Sequence, residues 1–358
     1  MPNKQRAGEE PEARESKGTP KRRSRRDTVA LLLANAGLDS AVESLEALNK
    51  DEDGTHARLL LKDGTSYLLR EYATTTRRAD VFRLKETVLY ASLRIGGLPV
   101  PYVLSSVSGD GRIAGDPPAM LLTDSGGTFL EQLFLTVPYA QRGPLWRSVG
   151  AALRRLHDLD VAVAGPLSDP PRRLGASWFV ADFSKVLLRL RRAQPETTPA
   201  VDALLRLRPA LREHLDTRPH AIRHGEGWYL PGMLMLPEGE EWTCGSWLGW
   251  GYYASVGDPM LDIVGMQLIH REWTGDEFPS SFYDAYGEQP DPVCRIVYES
   301  YLQLWRAPLY ARNSPRAHQQ MNAKRPQALA TLRPPYATSL AAMHHLAETV
   351  TKLTALLD

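Results

Sequence analysis

Strand patterns early in the chain and helix patterns through most of the remainder predict an α+β fold in two lobes, the first rich in β-hairpins and the second mostly helical. Three observations carry this reading. Ala57 to Leu61 reads as an apolar strand, the chain turns at Asp63-Gly64, and Ser66 to Tyr72 reads as its hairpin partner. Apolar residues then recur at three- and four-residue spacing in a succession of segments, the mark of amphipathic helices. With 358 residues, 43% of them hydrophobic and 24% charged, the chain can bury a large core and divide into two lobes.

Residues 1–26 are rich in Pro, Glu, Lys and Arg and nearly free of large apolar groups, so they read as a disordered basic tail with Lys21, Arg22, Arg23, Arg25 and Arg26 as its cluster. The first lobe runs over 27–123. It opens with a helix from Asp27 through Leu33, Ala36 and Leu38, followed by the hairpin. A helix from Asp80 to Ile95 comes next, with Val81, Leu84, Val88, Leu89 and Leu93 as its apolar face and Glu86 within it. Leu98-Pro99-Val100-Pro101 interrupts the chain, and Ala119 to Thr123 forms a further strand.

The second lobe, 124–358, begins with the turn-rich Asp124 to Leu130. Helices follow at Trp146 to Asp158, Ser177 to Arg192, Thr198 to Leu215, Met260 to His270, Ser281 to Tyr286 and Asp291 to Leu309. Between them lies the stretch that organises the chain. A polar loop, Arg223 to Met233, leads into a short strand at Leu234 to Leu236, a turn through Glu241, and a second strand ending in the Gly-rich Trp247 to Pro259. Two loops at the ends of paired strands can face one pocket.

Lys plus Arg (43) nearly balances Asp plus Glu (42), so charge gives no reason to expect nucleic acid as a partner. Cys244 and Cys294 lack metal-ligand spacing, and no apolar run is long enough for a signal core or a membrane span. A cytoplasmic protein with reduced thiols and no membrane partner is expected.

The order His224-Gly225-Glu226, Pro231-Gly232-Met233, Gly249-Trp250-Gly251 and Gly257-Asp258-Pro259 resembles the aminoglycoside phosphotransferase and choline kinase superfamily, whose pattern runs His-Gly-Asp, Pro-Gly-Asn, Asp-Trp, Gly-Asp-Pro. The hairpin, Arg70, Glu86 and the Pro-Val-Pro turn are similar to its first lobe, so the resemblance covers roughly 30–350. It implies a protein-kinase-like fold. It also implies His224 and Glu226 as catalytic-loop residues, Arg70 and Glu86 as the pair that meets nucleotide phosphates, and Asp124 in the hinge that reads adenine. His157, at a helix end, is expected to be structural.

The chain departs from the pattern where chemistry is concentrated. Glu226 stands for the catalytic Asp, Met233 for a metal-binding Asn and Gly249 for a metal-binding Asp, and Gly245 to Ser255 holds no Asp or Glu. No metal site is therefore assigned, and Mg²⁺ would have to recruit Glu240, Glu241 or Asp258. Leu38 to Leu48 contains no glycine, so no Gly-rich phosphate cradle precedes the hairpin. Whether ATP and Mg²⁺ serve as cofactors is left open. The preferred expectation is a kinase fold without phosphoryl transfer, binding a partner protein, a peptide or a small molecule. The alternative is an active ATP-dependent phosphotransferase on a small-molecule hydroxyl or a peptide Ser/Thr, with Glu226 as its carboxylate.

Overall fold

The computed structural model describes residues 24–51, 54–73, 77–109, 117–164, 173–225, 232–250, 254–274, 277–312 and 339–357. Helix α1 (Arg25–Asn35) begins inside the segment read as a tail, because Ser24 caps it. The Ser24 hydroxyl accepts from the Asp27 amide at 3.1 Å while the Asp27 carboxylate accepts from the Ser24 amide at 3.0 Å. Two orphan donors of the first turn are thus satisfied reciprocally, which sets the start of the helix.

Five antiparallel strands follow: β1 (Val42–Asp51), β2 (Gly54–Leu61), β3 (Ser66–Tyr72), β4 (Val103–Val107) and β5 (Ala119–Thr123), in the order β1-β2-β3-β5-β4. Side chains alternate between the two faces of a strand. Ala57, Leu59, Leu61, Leu69 and Leu121 pack under α1, whereas Leu68, Tyr72, Met120 and Leu122 join the main core. The β2–β3 hairpin lies where the sequence predicts it. The edge strand β1 was not expected, since Glu43 to Leu48 is dominated by helix formers and none of these side chains is buried. At the end of the β1–β2 ladder Asp51 pairs with Gly54. Gly54 has φ +149, and a Cβ there would lie 1.9 Å from the Glu71 carbonyl oxygen, so only glycine fits.

Helix α2 (Arg77–Ile95) is where expected but faces a different way. Leu89 and Leu93 are buried as read, yet Val81, Leu84 and Val88 are 59%, 54% and 45% exposed. The buried face also carries Arg83, Glu86 and Tyr90. Placing Glu86 in the interior turns the other apolar stripe outward, and burial of that carboxylate overrides simple amphipathic packing.

The second lobe holds two small sheets and most of the helices. Strands β6 (Thr128–Phe129), β9 (Gly232–Glu238) and β10 (Glu241–Leu248) form one sheet, ordered β10-β9-β6; β7 (Arg173–Leu174), β8 (Ala221–Arg223) and β11 (Ser255–Gly257) form the other, ordered β7-β11-β8. The helices are α3 (Leu130–Thr136), α4 (Arg142–His157), α5 (Ala176–Ala193), α6 (Thr198–Arg206), α7 (Arg208–Asp216), α8 (Met260–Thr274), α9 (Ser280–Tyr286), α10 (Pro292–Arg312) and α11 (Ser339–Leu357). The helix expected over Thr198 to Leu215 is two helices, since Pro209 in the first turn of α7 suits a fresh start and cannot donate to a continuing ladder. Cys244 and Cys294 are buried and free. Among the described residues no helix is long and apolar enough to cross a membrane.

Candidate active site

Arg70 and Glu86 meet between the lobes. Arg70 on β3 is 3% exposed and Glu86 on α2 is fully buried, with Arg70 Nε 3.9 Å from Glu86 Oε2. A buried carboxylate needs more than one partner to offset its lost hydration. Glu86 Oε2 accepts from the Tyr72 hydroxyl at 2.5 Å, and Oε1 accepts from the Tyr90 hydroxyl at 2.7 Å and from the Trp250 backbone N–H at 3.2 Å. Burial, followed by the nearby Glu86 charge, pushes both tyrosine hydroxyls well above their usual range, so they remain donors. The Arg70 guanidinium also lies over the Tyr72 ring, 4.9 Å from its centroid. Through Trp250, and through Lys85 Nζ donating to the Ala254 carbonyl at 3.0 Å, α2 is fastened to the loop after β10.

The loop after β8 is fixed by Asp262, in the first turn of α8. Its Oδ2 accepts from the His224 backbone N–H at 2.9 Å and its Oδ1 from the Gly225 N–H at 3.2 Å. Burial alone would raise the Asp262 carboxyl. The neighbouring His157 ring and the Arg223 charge outweigh it and hold the group below the usual carboxylate range. His157, at the end of α4, places Nε2 3.7 Å from Asp262 Oδ2 and sets Nδ1 2.8 Å from the Tyr286 hydroxyl. Its work is structural, as expected, but it braces Asp262 rather than capping its own helix.

The His224 ring is buried, with Nε2 2.9 Å from the Leu248 carbonyl oxygen. Nε2 is therefore the protonated nitrogen of the neutral ring, and burial lowers the pKa of that ring. His224 bridges the two loops at the ends of β8 and β10. Glu226, the carboxylate assigned to catalysis, lies outside the described residues, one position past the Gly225 that Asp262 holds.

The positions that would ligate a metal are apolar. Met233 is fully buried on β9, opposite Trp247 of β10. Trp247 and Trp250 lie 5.1 Å apart between ring centroids, and His224 stands edge-on to Trp250 at 4.7 Å. Gly249 adopts φ +83, a conformation that suits glycine. Of the recruits considered from the sequence, Glu240 is exposed in the turn between β9 and β10, and the other two are engaged elsewhere. Glu241 begins β10, roughly 23 Å of strand from Leu248, and pairs with Arg147 at 3.0 Å. Asp258 accepts from the Met260 amide at 2.9 Å and the Tyr298 hydroxyl at 2.8 Å, with Arg218 at 3.4 Å. One cluster of ligand-type atoms, His214, Asp291 and Cys294, is found among the described residues. There Asp291 caps α10 through the Cys294 amide, and Arg218 already supplies the cation at 3.6 Å. The described residues thus do not fit the divalent ion of phosphoryl-transfer chemistry.

Asp124 is placed in the connection between the lobes, but its carboxylate is turned to the protein. Arg58 of β2 reaches it at 2.6 Å, and the Gly126 amide donates to it at 2.9 Å. Its side chain shapes the hinge instead of offering an open carboxylate to a ligand. Arg58, Tyr72 and Tyr90 escaped the sequence reading because each acts through a contact distant in the chain. Asp262 lies in the helix read at Met260 to His270, where nothing local signals its role.

The profile of the phosphotransferase enzyme family matches residues 44–301. No curated protein matched the chain. Among solved structures, a Ralstonia eutropha protein assigned as an aminoglycoside phosphotransferase superposes with a TM-score of 0.57 at 14% identity, covering 91% of this chain and 98% of that one. The streptomycin–ATP ternary complex of APH(2″)-IIa gives 0.54 at 14% identity, covering 84% and 96%. The GDP and kanamycin complex of APH(2″)-IIIa gives 0.56 at 14%, covering 83% and 96%. At such identities the likeness is one of fold. The profile, spanning most of the chain and both loops of the site, goes further: this chain belongs to the phosphotransferase enzyme family.

Proposed function

We propose that the protein transfers the terminal phosphoryl group of a nucleoside triphosphate to a hydroxyl on a second substrate, either a small molecule of antibiotic or metabolite type or a Ser/Thr side chain of a peptide. The observation that carries this is the Asp262 clamp, a buried carboxylate committed to the His224 and Gly225 amides immediately ahead of Glu226. Such a clamp holds the backbone as far as Gly225, and orientation is most of what a phosphotransferase supplies. In the reaction the acceptor oxygen bonds to the γ-phosphorus, the bond from that phosphorus to the bridging oxygen breaks, and the nucleoside diphosphate departs. The acceptor proton passes to Glu226. Arg70, buried beside Glu86, is a fixed positive charge between the lobes, available to the nucleotide phosphates on this reading. Family membership supports the reaction class, and the aminoglycoside complexes among the fold relatives support a hydroxyl-rich acceptor.

A second reading is favoured by one observation: Met233 and Gly249 place no oxygen ligand where the family chemistry holds its metal. On that reading the cleft binds a partner protein, a peptide or a small molecule without transfer. The test measures nucleoside diphosphate release from ATP and GTP with Mg²⁺ or Mn²⁺ across hydroxylated small molecules and Ser/Thr peptides. Acceptor-dependent release that Glu226→Gln lowers by about a hundredfold or more, with unchanged melting, is the expected result. Release no faster than the variant's, with every acceptor and either metal, leaves the second reading in its place.

A further inference from the structure

A cavity of about 540 Å³ lies away from the loops at His224 and Trp247, walled by the C-terminal half of α8 and by α9, α10 and α11. Its volume is within the range that encloses a small organic ligand. From Asp262, which holds the loop ahead of Glu226, α8 rises by about 13 Å to Arg271 on the cavity wall. Helix α10 meets α5 with one face and the cavity with another. Its Tyr298 and Tyr301 rings pack on Phe179 of α5 at 4.8 and 4.9 Å, whereas Arg295, Ile296 and Glu299 line the cavity.

The aromatic part of the wall is fixed by packing. The Phe278 ring lies 4.9 Å from Trp146, 5.4 Å from His270 and 4.8 Å from Phe282, and Tyr283 follows at 5.7 Å. The charges on the wall divide into those already paired and those without a partner. Glu299 accepts from Arg271 and, at 3.2 Å, from the Gln303 amide, and Lys352 pairs with Glu348 at 2.6 Å. The exposed side chains of Arg295 and Glu277 have no ion-pair or hydrogen-bond partner among the described residues. Tyr283 is close to both. Burial pushes its hydroxyl up to about 12, and Arg295 and Glu277 act on it in opposite directions, so it stays a neutral donor beside one cation and one anion.

A complementary ligand brings an anion to Arg295, a cation to Glu277 and apolar surface to Phe278, Tyr283 and Ile296. A polyanion meets Glu277 and Glu299, and a polycation meets Arg295 and Lys352, so neither matches the wall. A zwitterion with an apolar body does. We propose that this cavity binds a zwitterionic ligand of amino-acid or short-peptide type, with its carboxylate on Arg295, its ammonium on Glu277 and its apolar side chains over Phe278 and Tyr283. The site goes beyond phosphoryl transfer and does not depend on it.

The experiment is calorimetric titration of the wild-type protein with leucyl-phenylalanine, its N-acetyl form, its C-terminal amide and free phenylalanine, repeated on Arg295→Gln and Glu277→Gln. The wild type is expected to bind the dipeptide at least about fivefold tighter than the acetyl or amide form, each of which lacks one charge. Arg295→Gln loses the preference over the amide and Glu277→Gln the preference over the acetyl form, and neither exposed substitution changes the melting temperature of the free protein. Tighter binding of the dipeptide than of phenylalanine identifies a peptide as the source of the zwitterion, and the reverse identifies a free amino acid. No binding of either zwitterion at millimolar concentration overturns the proposal. Acetyl and amide forms that bind as tightly as the dipeptide also overturn it, as do preferences that survive both substitutions.

Discussion

Asp262 and Met233 flank the same cleft in opposite circumstances. Asp262 is a buried charge surrounded by partners: two backbone amides, His157 and the nearby Arg223. Met233 is a buried thioether on β9, opposite Trp247, where relatives of this fold are expected to carry an oxygen ligand. The difference separates two uses of a polar group. One that organises backbone amides serves the fold in every state of the protein, since without it buried N–H groups go unpaired. One that exists to hold an external ion stabilises nothing until the ion arrives, and an apolar residue in its place packs better. Asp262 therefore keeps the loop ahead of Glu226 in place whether or not a substrate is bound, and activity has to be measured at Glu226.

The largest effect expected from this comparison belongs to Asp262→Ala. Two amides lose their acceptor and His157 its anionic partner, so chemical denaturation should show a loss of about 3 to 5 kcal/mol. A loss under about 1 kcal/mol would mean that the loop before Glu226 is held by something else.

Met233→Asn should cost less, about 1 to 3 kcal/mol, from a buried amide without a partner, while Met233→Leu stays within about 1.5 kcal/mol. Adding 10-millimolar-range Mg²⁺, on the order of what such ions need to be seen by mass action, should restore none of the asparagine variant's stability. Recovery with metal would reveal oxygen ligands beyond those described and would place the cleft back within ordinary family chemistry.

Much of this architecture was legible because it is local. The β2–β3 hairpin announces itself through Asp63-Gly64, and α4, α5, α8, α9 and α10 through their spacing, whereas α6 and α7 read as one helix and α11 was not read at all. The loops at His224 and Trp247 stand out as glycine-rich stretches beside apolar strands. What was hidden depends on distant partners. Strand β1 carries helix-forming residues and is a strand only because β2 offers a ladder along its edge. The faces of α2 could not be ranked by hydrophobicity, because Glu86 finds Tyr72, Tyr90 and Trp250 in the interior. Asp124 is read in the hinge from its neighbours, but its pairing with Arg58, far earlier in the chain, has no local signal.

Acidity should probe the buried rings on both sides of the cleft. His56 and His224 have folded pKa values below the ordinary value of about 6.5, chiefly through burial. Below about pH 6.5 the unfolded chain takes up protons that the folded state refuses, so stability falls as pH drops, by up to about 1.4 kcal/mol per pH unit for each group. Asp262 works in a lower window: its depressed carboxyl supports the fold above its unfolded value and loses that support only as pH falls below about 4. Melting temperature should be level from pH 8 to 7 and decline from 6.5 to 5. His56→Leu should remove about one proton's share of that slope, and an unchanged slope would mean that His56 is not held neutral.

The smallest effect is expected on the outer face of α2, and it sharpens the same contrast between groups that serve the fold and groups that do not. Val81, Leu84 and Val88 recur at helical spacing and would pass for core, yet they are about half exposed or more, while Leu89 and Leu93 are fully buried on the opposite side. Replacing Leu84 or Val88 by Gln removes little apolar contact and keeps a side chain compatible with a helix, so each should change stability by no more than about 0.5 kcal/mol. Leu89→Ala opens a cavity in the main core and should cost about 2 to 5 kcal/mol. Paired denaturation curves for these variants decide the matter. If the Leu84 variant lost as much as the Leu89 variant, the outward face would be covered in solution, and the orientation of α2 that brings Glu86 to Tyr72 and Tyr90 would be wrong.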